Sequence, residues 1–362
     1  MQQISPQLTP EIAEIVGSSD VWRAPAFEIR SYRDLVQQVA RLSYANRNHL
    51  LFFRGQGQDY QSRSQGSTLY PAIYREDNVS REELEVRFGE LESACRILVN
   101  LWEEMKIEGV NDVSRKKYVQ WSLLQHYEVV ATPLLDITHS LRVACSFAQL
   151  SGIDGFAYVY ALGFPYPTNR ISINSEEELV NIRLLSICPP SALRPFFQEG
   201  YMAGTPDVAA NFESKTELDF RNRLIAKFRI PKSGRFWSSG FEGLQKISLY
   251  PPHDKILELC KSVKSRLTDR QVSSGDMGQL IVEWARLEEA VLPRARQKTH
   301  RNLSMRESLE TLFSNATSAE LDKIRRVRNE VAHKPGQATA SDVERALIRL
   351  RQLKKSPELK NL

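Results

Sequence analysis

The periodicity of the apolar residues changes once along the chain, and this change constrains the fold more than any other feature. Up to Leu257, short apolar runs bounded by proline and glycine alternate with amphipathic segments, the pattern of mixed strands and helices. Beyond Leu257 no segment has a strand pattern, and apolar residues recur at helical spacing, as at Leu280, Trp284, Leu287 and Val291. We therefore predict an α+β domain followed by an all-α domain of four helices.

In the part of the chain before Leu257, the apolar pattern predicts four strands and three helices. The strands are 50–53, 155–162, 182–188 and 222–230, and the helices are 80–108, 114–127 and 140–150. In the last part, the first amphipathic helix is expected to end at Pro293, because proline removes a helical hydrogen bond. The predicted domains are a helical lead-in over 1–45, an α+β domain over 46–262, a linker over 263–276 and the helical domain over 277–362.

The net charge of +5 is confined to the end of the chain. Residues 271–362 hold 17 Lys and Arg against 12 Asp and Glu, whereas the first 270 residues hold 32 of each. Such a distribution indicates a basic unit attached to a neutral one. We therefore expect an anionic polymer such as RNA as the partner of the helical domain, and a small ligand for the neutral domain.

Several classes of protein are excluded by the sequence. The longest nearly apolar stretch, 155–164, is about half as long as the ~20 residues that a membrane helix needs, and the N-terminus lacks the pattern of a secretory signal. The four cysteines have no spacing that fits a zinc site. We expect a cytoplasmic protein without a membrane segment or a metal site. The motifs of P-loop, Rossmann, zincin and serine-hydrolase sites are missing.

The segment Arg328-Asn329-Glu330-Val331-Ala332-His333 lies at the predicted end of a basic helix. Together with the preceding Trp284 helix and a closing helix after Pro335, it resembles the R-x4-H signature of HEPN domains over 277–362. That resemblance implies a homodimer that cleaves RNA without a metal or another cofactor. Arg328 and His333 would be catalytic, and Asn329 would orient them.

These residue types suit RNA cleavage. A neutral imidazole can take the proton of a ribose 2′-hydroxyl, and a guanidinium can hold a phosphate bidentately. The flanking cations that would bind RNA are Lys323, Arg325, Arg326 and Lys334. Arg328 and His333 lie about 140° apart on an ideal helix, so they converge only in a distorted last turn or across a dimer. The alternative is a helical domain that only dimerises.

A second set of motifs lies in the first part of the chain. In chain order they are Phe53-Arg54-Gly55, Gln125-His126-Tyr127, 132–138 with Asp136, and 144–148. This succession, with later segments at 194–201 and 251–254, resembles the FRG domain over about 50–260. Glu128 and Ile137 replace the family's usual Gly and Trp.

The layout of the FRG domain is reminiscent of ADP-ribosyltransferases, which makes NAD a candidate cofactor. By that resemblance, Arg54 would hold the phosphates or the nicotinamide ribose of NAD, and Thr138 would support the ribose site. Gln198 or Glu199 would orient the attacking group or stabilise an oxocarbenium-like centre. This is an analogy at the level of the fold.

The residues themselves leave two interpretations open. Arg54, Gln125, His126, Asp136 and Thr138 are polar groups within runs suited to burial, and buried charges must be paired. They form either a structural Arg54–Asp136 ion pair with His126 nearby, or a pocket in which Arg54 binds a phosphate or carboxylate.

The leading functional hypothesis is a toxin or phage-defence effector. In it, the HEPN-like domain cleaves RNA, and the FRG-like domain senses or modifies a nucleotide-like ligand and gates the cleavage. The alternative is an FRG-like enzyme that consumes NAD or transfers ADP-ribose, with the helical domain used for dimerisation or RNA docking. A third hypothesis is a binding module without catalysis. An antitoxin or another regulatory protein is a further expected partner.

Overall fold

The structure is a computed structural model that describes residues 1–62, 66–75, 79–151, 155–206, 215–237, 240–268, 274–333 and 338–360. The chain divides into two compact units. The first holds Met1–Val79 and Ala94–Val263, and the second holds Ser80–Ser93 and Lys264–Leu362. The first unit is mixed α/β with a sheet and the second is helical, which confirms the predicted fold class at this level.

Within the described residues, the first unit contains one sheet of eight strands. The strands are β1 (Phe27–Glu28), β2 (Leu50–Gln56), β3 (Leu135–Thr138), β4 (Phe156–Phe164), β5 (Ile171–Asn174), β6 (Leu179–Arg183), β7 (Gly200–Gly204) and β8 (Leu224–Pro231). Their order is β1-β8-β4-β2-β3-β7-β6-β5. β1 pairs with β8 in parallel, and the other neighbours are antiparallel. The strands with the polar motifs, β2 and β3, therefore lie in the middle of the sheet.

The helices begin and end as follows. They are α1 (Pro10–Val16), α2 (Tyr32–Ala45), α3 (Arg81–Glu104), α4 (Val110–Arg115), α5 (Lys117–His126), α6 (Leu141–Ser151), α7 (Leu184–Ile187), α8 (Leu193–Phe197), α9 (Lys246–Leu249), α10 (Lys255–Thr268), α11 (Ser274–Thr299), α12 (Met305–Leu312), α13 (Asn315–His333) and α14 (Ala340–Lys354). Short 3-10 helices cover Ala72–Tyr74, Lys215–Leu218, Phe220–Arg223 and Gly234–Phe236. Among the described residues, none of these helices combines the length and apolar character needed to cross a membrane.

The centre of the sheet is buried because its strands are apolar along most of their length. Phe52, Tyr160, Phe164 and Phe228 are fully buried in the core cluster of the first unit. β2 is buried from Leu51 to Phe53 and becomes partly exposed afterwards, so the predicted apolar strand is confirmed. Its polar end begins at Arg54, where the strand leaves the core.

The helix α6 packs against β2 at unusually short range around Gly55. A Cβ atom on Gly55 would lie 1.9 Å from the main-chain oxygen of Ala144 and 2.8 Å from the main-chain nitrogen of Ala148. Both neighbours are backbone atoms, which no side-chain rotation can move. A glycine is therefore required at the third position of the Phe-Arg-Gly motif.

The second unit has its own apolar core, formed by α11 to α14. Leu280, Trp284, Leu309, Val343 and Leu350 are fully buried there. Capping boxes begin α12 at Ser304 and α14 at Thr339.

Several predicted boundaries differ from the structure. α11 continues through Pro293 to Thr299, because Val291 and Ala295 are both fully buried and their packing outweighs one missing hydrogen bond. The apolar run 182–188 is a strand only to Arg183 and then becomes α7, since a short apolar run does not distinguish strand from helix.

The limits of the predicted domains also differ in detail from the two units. Residues 1–45 include β1, which joins the sheet through β8, so this lead-in is not purely helical. Ser80–Ser93 belongs to the second unit, where Glu90 pairs with Arg345. The predicted linker over 263–276 begins inside α10, which is helical to Thr268.

We expect Gly55→Ala to lower the free energy of unfolding by about 3 kcal/mol, because the new methyl group overlaps the backbone of α6. Urea titration followed by circular dichroism measures this. Gly155→Ala is the matched control, since a Cβ there meets nothing within 4 Å. Equal stability of the two variants would contradict the close contact.

Candidate functional site

A cavity of about 220 Å³ lies where the ends of β2, β3 and β7 meet α6. It is lined by six of the seven residues that the sequence predicts for a ligand pocket, namely Arg54, Gln125, His126, Asp136, Thr138 and Gln198. The seventh, Glu199, is exposed and is absent from the lining residues. Thr138 pairs in register with Phe53 on one side and Gly200 on the other, and this pairing brings the distant motifs together.

The Asp136 carboxylate is fixed by two side chains from α5. Gln125 Nε2 donates a hydrogen bond to Oδ2 at 2.7 Å, and His126 Nδ1 lies 3.4 Å from Oδ1. Burial raises the pKa of Asp136, but the hydrogen bonds from His126 and Gln125 and the charges of His126 and Arg54 outweigh it, so the pKa is lowered. The side chain remains 38% exposed. It is therefore an ionised carboxylate that a ligand can reach.

Gln125 has its amide orientation set by a further contact. Thr132 Oγ1 donates to Gln125 Oε1 at 2.7 Å. The nitrogen end of the amide must then face Asp136, because the oxygen end is already an acceptor. The chain Thr132–Gln125–Asp136 thus holds the carboxylate in one orientation.

His126 is packed beneath the start of β7. A Cβ on Gly200 would lie 3.2 Å from His126 Cε1 and 2.8 Å from Leu184 Cδ1, so the absence of a side chain at Gly200 leaves room for the ring. The Nε2 atom of His126 is buried without a hydrogen-bond partner among the described residues. Such an atom is costly to bury unless something else satisfies it.

Arg54 binds backbone rather than a carboxylate. Its Nη1 donates to the main-chain carbonyl of Asp136 at 2.6 Å, and within the described residues no ion pair joins the two side chains. The structural Arg54–Asp136 ion pair, one of the two interpretations above, is therefore not formed. Burial lowers the pKa of Arg54, Asp136 opposes this, and Arg75 adds to it. The Nε of Arg54 is buried and unpartnered in the described chain.

Thr138 positions the backbone that precedes β7. Its Oγ1 lies 3.0 Å from the carbonyl of Gln198 and 3.1 Å from that of Glu199, and it donates to these two acceptors. Glu199 has a positive φ of 45°, which turns its exposed side chain away from the lining. Gln198 Nε2 donates to the carbonyl of Leu249 at 2.8 Å. Gln198 therefore uses its amide nitrogen for a contact within the protein, and Glu199 lies outside the cavity lining.

Aromatic and cationic groups lie behind the cavity. Arg194 lies 5.1 Å from the ring centre of Tyr127 and 4.8 Å from that of Tyr250. Tyr127 donates to Asp254 Oδ2 at 2.7 Å, and Asp254 also accepts from the backbone nitrogen of Arg194. Tyr250 lines the cavity. Arg194 and Asp254 lie in the segments 194–201 and 251–254 that resemble the FRG domain, and these segments signal this layer in the sequence.

The three residues of the R-x4-H motif lie on α13. Arg328 Nη1 donates to Asn329 Oδ1 at 3.0 Å, and its Nη2 lies 3.9 Å from Glu288 Oε2. His333 is the last residue of the helix and is exposed. Because α13 is helical throughout, Arg328 and His333 lie on different sides of it. A distorted last turn, one way for them to converge, is not seen up to His333.

The predicted RNA-binding cations of α13 are paired with acids of the same helix. Lys323 pairs with Glu320, and Arg325 and Arg326 both pair with Asp322. Lys334 lies outside the described residues. The positive charge of this helix is therefore largely balanced within the unit. Within the described residues, no group of three or more His, Cys, Asp or Glu side chains is placed to hold a metal ion.

Comparison with known proteins identifies one part of the chain. A family model described as the FRG domain matches residues 49–153, a segment that contains β2, β3, α5 and α6. No curated protein and no solved structure matches the chain. The resemblance to the FRG domain is thus confirmed for 49–153, which includes Arg54, Gln125, His126 and Asp136. The HEPN-like and ADP-ribosyltransferase-like identities stay predictions.

We expect Asp136→Asn to reduce the stability of the protein at pH 7, because the native contacts favour the ionised carboxylate. A lowered native pKa stabilises the fold above the pKa of the unfolded state, about 4, and this contribution is lost as the pH falls through the native pKa. The gap between wild type and Asp136→Asn should therefore close on acidification. Urea midpoints between pH 7 and 3 test this.

Exposed Asp20 provides the control for that comparison. Asp20→Asn should remain within about 0.5 kcal/mol of wild type at pH 7. If Asp136→Asn matches wild type at pH 7 as well, the carboxylate is not stabilised as described.

Proposed function

We propose that the first unit is an enzyme that cleaves the N-glycosidic bond of a nucleotide such as NAD, by hydrolysis or by transfer of ADP-ribose. The observation that carries this proposal is the Asp136 carboxylate, which is ionised, held by two side chains and reachable from a cavity that Arg54 also lines. A cavity with a few convergent polar groups and a perturbed pKa is the usual form of an active site.

The chemistry follows from the charges. Cleavage breaks the bond between ribose C1′ and the nitrogen of nicotinamide, which leaves with the electron pair. Positive charge then develops on the ribose, and a nearby ionised carboxylate stabilises it. The oxygen of water or of an acceptor hydroxyl bonds to C1′, and its proton is released. Asp136 thus takes the stabilisation of the oxocarbenium-like centre, one of the two roles that the resemblance gave to Gln198 or Glu199.

Arg54 is suited to the phosphates of the same substrate. One of its nitrogens donates to the carbonyl of Asp136, and its buried Nε has no acceptor among the described residues. A guanidinium donates to phosphate oxygens through charge-assisted hydrogen bonds. Arg54 and Asp136 thus offer one positive and one negative group to a ligand with a phosphate at one end and a developing cation at the other.

We expect Asp136→Asn to reduce NAD consumption by about 100-fold, as when one electrostatic group of an active site is removed. Loss of NAD and formation of ADP-ribose or of an ADP-ribosylated product are measured by chromatography and mass spectrometry. Arg54→Ala should abolish the activity, whereas Asp20→Asn should retain it. Circular dichroism shows whether each variant is folded. Equal NAD loss by folded Asp136→Asn and wild type would exclude the role of Asp136.

RNA cleavage by the second unit is a second candidate function, favoured by the contact of Arg328 with Asn329. It is the contact that an orienting asparagine would make in the HEPN-like interpretation. Because Arg328 and His333 lie about 140° apart on one helix, this activity requires a second copy of the chain to complete the site. RNA would compete with Glu320 and Asp322 for the side chains of Lys323 and Arg326, which are largely exposed.

We expect His333→Asn to lose RNA cleavage while keeping its dimer, because asparagine cannot take up a proton as imidazole does. His300→Asn is the matched control, since His300 is also exposed in the same unit and asparagine tolerates its φ of 56°. Cleavage of transfer, ribosomal and messenger RNA is followed on gels, and sedimentation gives the oligomeric state. If the wild-type protein is a monomer, or if His333→Asn cleaves RNA as fast as wild type, RNA cleavage by the second unit is excluded.

Either activity would be harmful inside a cell. Consumption of NAD or cleavage of RNA therefore suits a toxin or phage-defence effector, whose activity an antitoxin or another regulatory protein would restrain. In this proposal the first unit binds the nucleotide, and the second unit contributes dimerisation, RNA binding or RNA cleavage.

A further inference from the structure

A second cavity, of about 440 Å³, shares Arg54 and Gly55 with the first. Its other walls come from the chain after β2 and from the short helix at Lys215–Leu218. Taken together, the two cavities fall within the range of roughly 300–1,000 Å³ that is usual for ligand pockets. The polar end of β2, at Arg54 and Gly55, therefore borders two cavities that together are large enough for a ligand.

The second cavity has the electrostatic character of an anion site. Arg54, Arg75 and Lys215 line it, and Arg75 and Lys215 each make further contacts within the chain. Burial is the main cause of the lowered pKa of Arg54, and the charge of Arg75 lowers it further. Cations that disfavour one another in this way are stabilised when an anion lies between them.

Two buried polar atoms in the same wall lack partners in the described chain. They are the donor Arg54 Nε and the acceptor Gln56 Oε1. Buried polar groups are normally satisfied, and exceptions concentrate where a ligand completes the hydrogen bonding. A ligand with a phosphate oxygen for Arg54 and a hydroxyl or amino group for Gln56 would satisfy both.

The wall that faces β2 is held in place by a buried network. Lys227 Nζ donates to Ser67 Oγ at 2.7 Å and lies 3.3 Å from Asp59 Oδ2. Tyr160 donates to Asp59 Oδ1 at 2.9 Å. The backbone nitrogen of Leu69 donates to Asp219 Oδ1 at 2.9 Å. These contacts fix the chain on both sides of the cavity and thereby pre-organise it.

Aromatic rings complete the cavity. Lys215 Nζ lies 4.7 Å from the ring centre of Tyr70, so this cation is held above an aromatic face. Tyr60 lines the cavity and is 51% exposed, which leaves its ring available for stacking with a flat base.

We infer that the second cavity binds the nucleoside diphosphate part of the substrate. The diphosphate lies among Arg54, Arg75 and Lys215, the hydroxyl or amino group contacts Gln56, and the base stacks on Tyr60. This inference rests on the proposed function, because it makes the substrate a dinucleotide whose second half reaches past Arg54 to Asp136. Arg75 and Lys215 are then binding residues, and they take no part in bond cleavage.

Calorimetry with ADP tests the inference without any turnover. ADP should bind the wild-type chain, and the double variant Arg75→Gln/Lys215→Gln should bind it at least about tenfold more weakly, because charge-assisted hydrogen bonds to the phosphates are lost. Arg47→Gln is the control, since Arg47 is exposed and lines neither cavity. Adenosine, which has no phosphate, should bind much more weakly than ADP.

Asp136→Asn separates this inference from the proposed function. It should keep ADP binding within about twofold, even if NAD cleavage is lost, because Asp136 does not line the second cavity. Tight ADP binding without any NAD cleavage would support the nucleotide site and reject the reaction. No ADP binding by the wild-type chain, or equal binding by the double variant, would overturn the second cavity as a nucleotide site.

Discussion

The close approach of α6 to β2 at Gly55 is the constraint on which the site depends. Because a main-chain oxygen of α6 occupies the space of a Gly55 side chain, the polar end of β2 is held against the start of the helix. β3 pairs with β2 at Phe53 and Thr138, and this places Arg54 beside the Asp136 carbonyl. The Phe-Arg-Gly motif is thus a packing requirement as well as a chemical one.

The polar groups around Asp136 serve two purposes that the structure combines. Thr132 donates to Gln125, and Gln125 and His126 both contact the carboxylate, which stabilises this network. The same contacts keep Asp136 ionised while part of it stays exposed. A purely structural ion pair would instead have joined Arg54 to that carboxylate. Arg54 keeps a buried donor that has no partner among the described residues, and this favours the proposed ligand site over a purely structural cluster.

The two units differ in how their charges are used. The first unit contains some ion pairs in buried or half-buried positions, such as Lys227 with Asp59 and Arg223 with Glu177. In the second unit, the basic residues of α13 lie near its surface and pair with acids three or four residues away. Net charge alone therefore overstates how much positive charge the helix offers to a phosphate. The nucleotide site proposed for the first unit arises from local convergence of cations in a neutral unit.

The sequence determined the strand at β2, the helices α3, α5 and α6, the all-helical end of the chain and the motif residues, because each follows from local periodicity or from a short run of residue types. It also predicted six of the residues that line the first cavity. It did not show that Arg54 binds a carbonyl, that Glu199 turns away, or that α11 passes through Pro293. Nor did it predict that Tyr250, Arg75 and Lys215 line cavities beside Arg54. Only the tertiary structure decided these points, because the pairing of β3 with β2 and β7 and the burial of α11 depend on contacts between residues far apart in the chain.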